Sequence, residues 1–359
     1  MRDDCLIVRA FSRPEIVASY NPCDWDVLIR QARRGDILAR LYVVLQQCQL
    51  LTNVPESAHM HLISAWALAQ KHERVLRWEV DRIQHALNET GIPVVLLKGA
   101  AYLMQDLPAA RGRFYADIDI MVSKESLPVV ERALLIHGWM TVKLDAYDQR
   151  YYRKWMHEIP PMRHRRRQTV IDVHHRILPE TTRAQPDATK LFAASVPVDG
   201  NESLRTLAPV DMLLHSATHL FYEGELDHGL RDLLDLHELF VTFGEDENFW
   251  TKLQERAQEL ELTRPLYYAM RYTYGFLKTP IPLSSMRQVE AEGPNWLLRG
   301  VMDALYKRAL VPSHPSCDVY LTSLARWLLY IRGHYLRMPL YLLIPHLIRK
   351  AFVKEKKNK

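Results

Sequence analysis

The chain has 359 residues, 48% apolar and 25% charged, with only 13 Gly and 20 Pro, which excludes collagen-like, low-complexity and wholly disordered readings. A net charge of +5, from 47 Lys and Arg against 42 Asp and Glu, is a mild bias over this length and excludes an architectural nucleic-acid binder. What remains is a globular chain long enough for one large domain or a few ordinary ones, each with a real core.

The four cysteines, Cys5, Cys23, Cys48 and Cys317, form no CxxC pair and suggest neither a zinc site nor a disulfide framework. After Met1 to Asp4, the Leu6 to Ala10 apolar stretch is interrupted by Arg9 and is too short for a signal-peptide core. No run of about 18 uncharged apolar residues occurs. The expectation is a reduced, cytoplasmic protein.

From Asp24 to Glu89 helix formers dominate, with breaks at Gly35-Asp36 and Asn53-Val54-Pro55, so residues 1–90 read as an N-terminal helical region whose longest helix runs from Glu56 to about Thr90. At Gly91-Ile92-Pro93 the texture changes. Val94 to Leu97 is a continuous apolar run, as in a strand buried on both faces, and Lys98-Gly99 ends it. The spacing then predicts a short helix over Ala100 to Gln105, a strand over Ala116 to Val122, and a helix over Glu125 to His137 capped by Ser123. Strands near Trp139 to Lys143 and over Thr169 to His174 complete an α/β core assigned to residues 91–203, with the basic run Arg163 to Arg167 between them. Helices return over Pro209 to Phe221, Gly229 to Val241 and Glu247 to Leu262, giving a helical domain over 204–310 that completes the cleft. Residues 311–359 form C-terminal amphipathic helices and a basic tail.

The chemistry concentrates at Asp117-Ile118-Asp119. On a strand, side chains at i and i+2 share a face, so both carboxylates project together, about 6–7 Å apart, while Ile118 and Ile120 bury the other face. Two such anions are costly without a cation, and the pair suits an octahedral Mg2+ that also holds substrate phosphates. The competing structural reading is an edge strand with one solvated acidic face. Three features weigh against it. Lys98-Gly99 stands where a strand turns into a helix and a phosphate can be cradled, Arg113 lies in the loop feeding the acidic strand, and Asp172 supplies a third carboxylate from another strand.

These residues, Leu97-Lys98-Gly99-Ala100-Ala101, Arg113, Asp117 to Val122 and Val170-Ile171-Asp172-Val173-His174, resemble the uncharacterised nucleotidyltransferase family of the DNA polymerase β superfamily, over roughly residues 60 to 240. The resemblance implies an α+β fold: a polymerase β-like core with a small mixed sheet, flanked by N-terminal and C-terminal helical regions. It implies that Asp117, Asp119 and Asp172 are catalytic and hold two Mg2+ ions, with Mn2+ as a substitute, and that Lys98, Gly99 and Arg113 bind the nucleotide. Ala100 replaces the superfamily's usual Ser, and Ala116 stands where the family often has Gly.

The likeness continues through Leu213 to His219 and Leu230 to Asp235, which makes His219, Arg231 and Asp235 candidates for the substrate or supporting layer, with His174 beside Asp172. His215 and His219 with Asp211 have a spacing that suits a metal, and Arg231 with Asp235 that of an ordinary i, i+4 ion pair. The Arg163 to Arg167 run reads as a solvated turn, or as an anion-attracting hairpin folded over the cleft. Leu324 to Phe352 reads as core-packing helix, or as a peripheral contact with anionic membrane.

The activity expected is Mg2+-dependent transfer of a nucleoside monophosphate from an NTP such as ATP to an unknown hydroxyl or phosphate acceptor, with pyrophosphate release. The acceptor is left open among sugar, glycan, peptide, small molecule and RNA. The alternatives are a catalytically silent nucleotide-binding or scaffold protein, and a toxin-like tRNA nucleotidyltransferase.

Overall fold

The computed structural model describes residues 5–142, 146–222 and 224–339. The chain opens with helices α1 (Leu6–Ser12), α2 (Pro22–Arg34), α3 (Leu38–Gln47) and the long α4 (Glu56–Leu87). Asn21 starts α2 with a capping box: its side chain accepts from the Cys23 and Asp24 amides, and the Asp24 carboxylate accepts from the Asn21 amide. Strand β1 (Val94–Leu96) follows, then α5 (Lys98–Met104), β2 (Asp117–Met121), α6 (Leu127–Ile136), β3 (Trp139–Thr141), α7 (Ala146–Trp155), β4 (Met162–His164), β5 (Val170–His174), α8 (Ala188–Ala194), β6 (Val196–Val198) and β7 (Asn201–Thr206). Helices then run to the end: α9 (Pro209–Tyr222), α10 (Gly229–Phe243), α11 (Glu247–Glu259), α12 (Thr263–Leu277), α13 (Leu283–Ala291), α14 (Trp296–Ala309) and α15 (Thr322–Arg337).

The strands form one mixed seven-stranded sheet in the order β3-β4-β5-β2-β1-β7-β6. β2 pairs in parallel with β5, and β1 in parallel with β7, while β1 and β2 are antiparallel. The arrangement is α+β, as expected. β1 and the inward residues of β2 and β5, from Ile118 and Ile120 to Ile171 and Val173, are buried, and the core they begin runs without a break into α9, α10 and α12.

Three strands were not anticipated. β6 and β7 are joined at Asp199-Gly200, both with positive φ, the backbone of a tight two-residue hairpin, and Pro197 is tolerated because β6 is an edge strand. β4 occupies the start of the basic run, and α7 fills the stretch before it. The Ser123 cap serves a short 3-10 turn, Lys124–Ser126, and α6 begins only at Leu127.

No helix among the described residues is long and apolar enough to cross a membrane. Residues 340–359, which hold the basic tail and the last part of the Leu324 to Phe352 stretch, lie outside the described residues.

Candidate active site

Parallel pairing of β2 with β5 sets the register: Asp117 lies opposite Val170, Asp119 opposite Asp172, and Met121 opposite His174. Because alternate strand residues share a face, Asp117, Asp119, Asp172 and His174 rise from one side of the sheet, while Ile118, Ile120, Ile171 and Val173 bury the other. Asp119 is buried and Asp117 stands at the exposed end of β2.

The turn after β1 is held against β2, where the Leu97 amide donates to the Asp119 carbonyl at 3.0 Å. Lys98 occupies that turn with a left-handed backbone, φ 47°, a conformation a residue with a Cβ adopts at a cost of about 1–3 kcal/mol. Its ammonium donates to Asp119 Oδ1 at 3.1 Å, and His174 Nε2 donates to the same oxygen at 3.0 Å. Burial alone would raise the Asp119 carboxyl, but Lys98 and His174 overcome it and hold this group well below the usual carboxylate range. Asp117 moves the other way, pushed up by desolvation and then by the Asp119 charge. Asp172 is pushed up to about 8 by burial and then by Glu158, Asp119 and Asp117, and its Oδ1 is buried with no hydrogen-bond partner. Asp172 thus stands in an excess of negative charge, while Asp119 is neutralised by its cationic partners.

Gly99 is packed closely against Arg113. A Cβ built there would lie 2.5 Å from Arg113 Nη1 and 3.0 Å from the Tyr115 ring, so its empty side is filled by Arg113. Arg113 Nε donates to Asp235 Oδ2 at 3.1 Å, and its guanidinium lies over the Tyr115 ring at 5.4 Å. The other Asp235 oxygen accepts from Arg40 of α3, whose Nη2 also reaches the Ala109 carbonyl. Asp235 therefore positions Arg113 and does not pair with Arg231, which bonds Asp232 at 3.0 Å instead. The i, i+4 reading failed because two arginines distant in sequence occupy that carboxylate.

Helix α9 faces the carboxylates through His215 and His219. A charge on His219 opposes the rise of Asp117 and adds to the lowering of Asp119, while burial, Lys98 and His219 keep His215 unprotonated. Asp211 does not join them, because Arg256 of α11 binds it with two bonds of 2.7 and 2.9 Å, so the Asp211, His215 and His219 metal reading fails. Nor does the whole basic run fold over the cleft. Arg167 turns to α4, binding Glu79 at 2.7 and 3.0 Å and lying over Trp139 and Trp78, while Arg163, Arg165 and Arg166 are exposed.

Sequence reasoning missed His157 and Glu158. They sit between α7 and β4, where the Ile159 amide donates to the Val173 carbonyl at 3.0 Å and the His175 amide to the His157 carbonyl at 2.8 Å. Glu158 is thereby bridged to His174, with Oε2 3.5 Å from its Nε2. The only local hint was strand-like Ile159, and the following Pro160-Pro161 masked it.

The sequence profile of the uncharacterised nucleotidyltransferase family matches residues 21–278. The chain belongs to that family. No curated protein matches it. The matched region contains the sheet, the carboxylate face, and the helices α9 and α10 that support it. The donor set of this nucleotidyltransferase fits a hard divalent cation: three carboxylates on one face, one with an orphaned buried oxygen.

Proposed function

We propose that this nucleotidyltransferase moves a nucleoside monophosphate from an NTP to a hydroxyl or phosphate acceptor, releasing pyrophosphate, with Asp117, Asp119 and Asp172 holding Mg2+. The observation that carries the reading is the register placing Asp119 beside Asp172, with Asp117 on the same face and Asp172 Oδ1 unpartnered. Bound Mg2+ neutralises charge on the triphosphate and on the leaving pyrophosphate. The residues do the rest by position. Lys98, on its strained turn, presents a cation beside Asp119 to phosphate oxygens. Arg113, fixed by Asp235, supplies a second cation from the far side of Gly99. In the ionised form that bound Mg2+ would favour, Asp172 accepts the proton of an attacking hydroxyl. His174 fixes the orientation of Asp119.

The test is thermal unfolding with each of the four NTPs, with and without Mg2+. A Mg2+-dependent rise is expected with at least one NTP, since a ligand that binds only the folded state stabilises it, by about 2.7 kcal/mol at a hundred times its Kd. Asp117→Asn and Asp119→Asn should lose the rise while keeping the native circular dichroism. Its survival in both variants overturns the assignment.

A further inference from the structure

His157, Glu158 and His174 each offer one ligand atom, all within 4.8 Å of one another. The two imidazoles lie 5.1 Å apart between centroids, and His174 Nε2 is 3.5 Å from Glu158 Oε2. With Nε2 given to Asp119, His174 has Nδ1 left as its ligand atom. The backbone brings the residues together before any ion arrives, because the 157–159 segment is hydrogen-bonded to the end of β5 on both sides of the Glu158 to His174 bridge.

A second observation points to a ligand. His157 Nδ1 and His174 Nδ1 are both buried without a hydrogen-bond partner. An orphaned buried polar nitrogen is unfavourable, and two on neighbouring imidazoles, beside a carboxylate, are an arrangement that cation coordination resolves.

We propose that His157, Glu158 and His174 bind a first-row transition-metal dication of the Zn2+ type, at a position distinct from the all-oxygen site of Asp117, Asp119 and Asp172. Two imidazoles and one carboxylate are the donor set that Zn2+, Co2+ and Mn2+ accept, whereas Mg2+ selects oxygen ligands and its own water. Three protein ligands leave coordination positions open, as in metal sites that also meet a substrate or water. His174 joins the two positions through its bond to Asp119, so occupancy of one bears on the other. The assignment goes beyond nucleotidyl transfer and stands or falls apart from it.

The experiment uses the whole 359-residue chain, stripped with a chelator and titrated with Co2+, whose visible absorption reports nitrogen ligation and low coordination number. About one Co2+ per chain is expected, displaced by Zn2+ and not by Mg2+. His157→Gln should weaken Co2+ binding by at least about tenfold, and Glu158→Gln provides the same reading if the histidine variant does not fold. Asp117→Asn should bind Co2+ as the parent does. Absence of Co2+ uptake, or equal uptake by the His157 and Glu158 variants, overturns the proposal. So does loss of uptake in Asp117→Asn with both of those variants unaffected. Mg2+-dependent NTP stabilisation in a protein that takes up no Co2+ would reject this site and leave the transferase reading standing.

Discussion

At the scale of single residues, Asp172 is the carboxyl most out of place at neutral pH. Its folded value of about 8 lies far above the about 3.9 of an unfolded chain, so the metal-free native state keeps a proton there that the unfolded state has released. Its contribution to stability is complete below about pH 4 and is lost as pH rises through 8. Asp172→Asn removes that loss. The variant should melt a few degrees above the parent at pH 8 without metal, with little difference at pH 4, while nucleotidyl transfer disappears. A variant less stable than its parent at pH 8 would show that Asp172 has a cationic partner in solution. Asp117 and Asp119 were legible in the sequence as a pair because period-2 geometry puts them on one face, and Asp172 as a carboxylate on a second strand, whereas its place opposite Asp119 depends on the pairing of β2 with β5. His157 and Glu158 were not legible, because a bridge across β5, and no local pattern, brings them in.

At the scale of elements, the turn between β1 and α5 is the most constrained piece of the site. Lys98 stores backbone strain there, and Gly99 gives its side-chain space to Arg113, which Asp235 prevents from moving away. Gly99→Ala should therefore act on the arginine. A stability cost of about 1–3 kcal/mol from overpacking is expected in urea titrations, with about a 100-fold fall in kcat/KM from displacing a substrate-facing cation. An alanine variant with unchanged kinetics would mean that Arg113 does not touch the nucleotide. Glycine after a strand was readable from the sequence as a turn. Its real neighbour was not, since Arg113 arrives through a loop with no period. The Asp199-Gly200 hairpin, by contrast, was written in the chain as a standard turn pair, and the short strands flanking it obscured the signal.

Over the whole molecule, buried histidines set the acid limit. His157 and His215 are held well below their ordinary value by burial first, and His237, with its Nδ1 2.8 Å from Thr279 Oγ1, is pushed down to about 4. The unfolded chain takes up these protons near pH 6.5 and the folded one does not, so stability present above that value is lost as pH falls toward 4. Asp172 and His174 run the opposite way, both raised in the folded state. In the Asp172→Asn background the melting temperature should therefore drop between pH 7 and pH 5, and adding His237→Asn should flatten the drop. A flat profile in Asp172→Asn alone would place these histidines in contact with water. The α+β class and the helical flanks were legible from composition and texture, whereas the sheet order, with β7 beside β1, depends on long-range pairing that no local spacing encodes.

The Arg40, Asp235 and Arg113 bridge links a helix before the first strand, a helix after the last strand and the loop that feeds β2. Its three members come from parts of the chain that a biochemist trimming for a minimal catalytic fragment would separate. A polypeptide starting at Gly91 would retain the complete carboxylate face and lose the guanidinium that balances one side of Asp235. The remaining ion pair would then be free to rotate, and the arginine beside Gly99 would no longer have a fixed address. The smallest piece able to work is thus set by an electrostatic keystone outside the sheet, and it must reach back at least to α3.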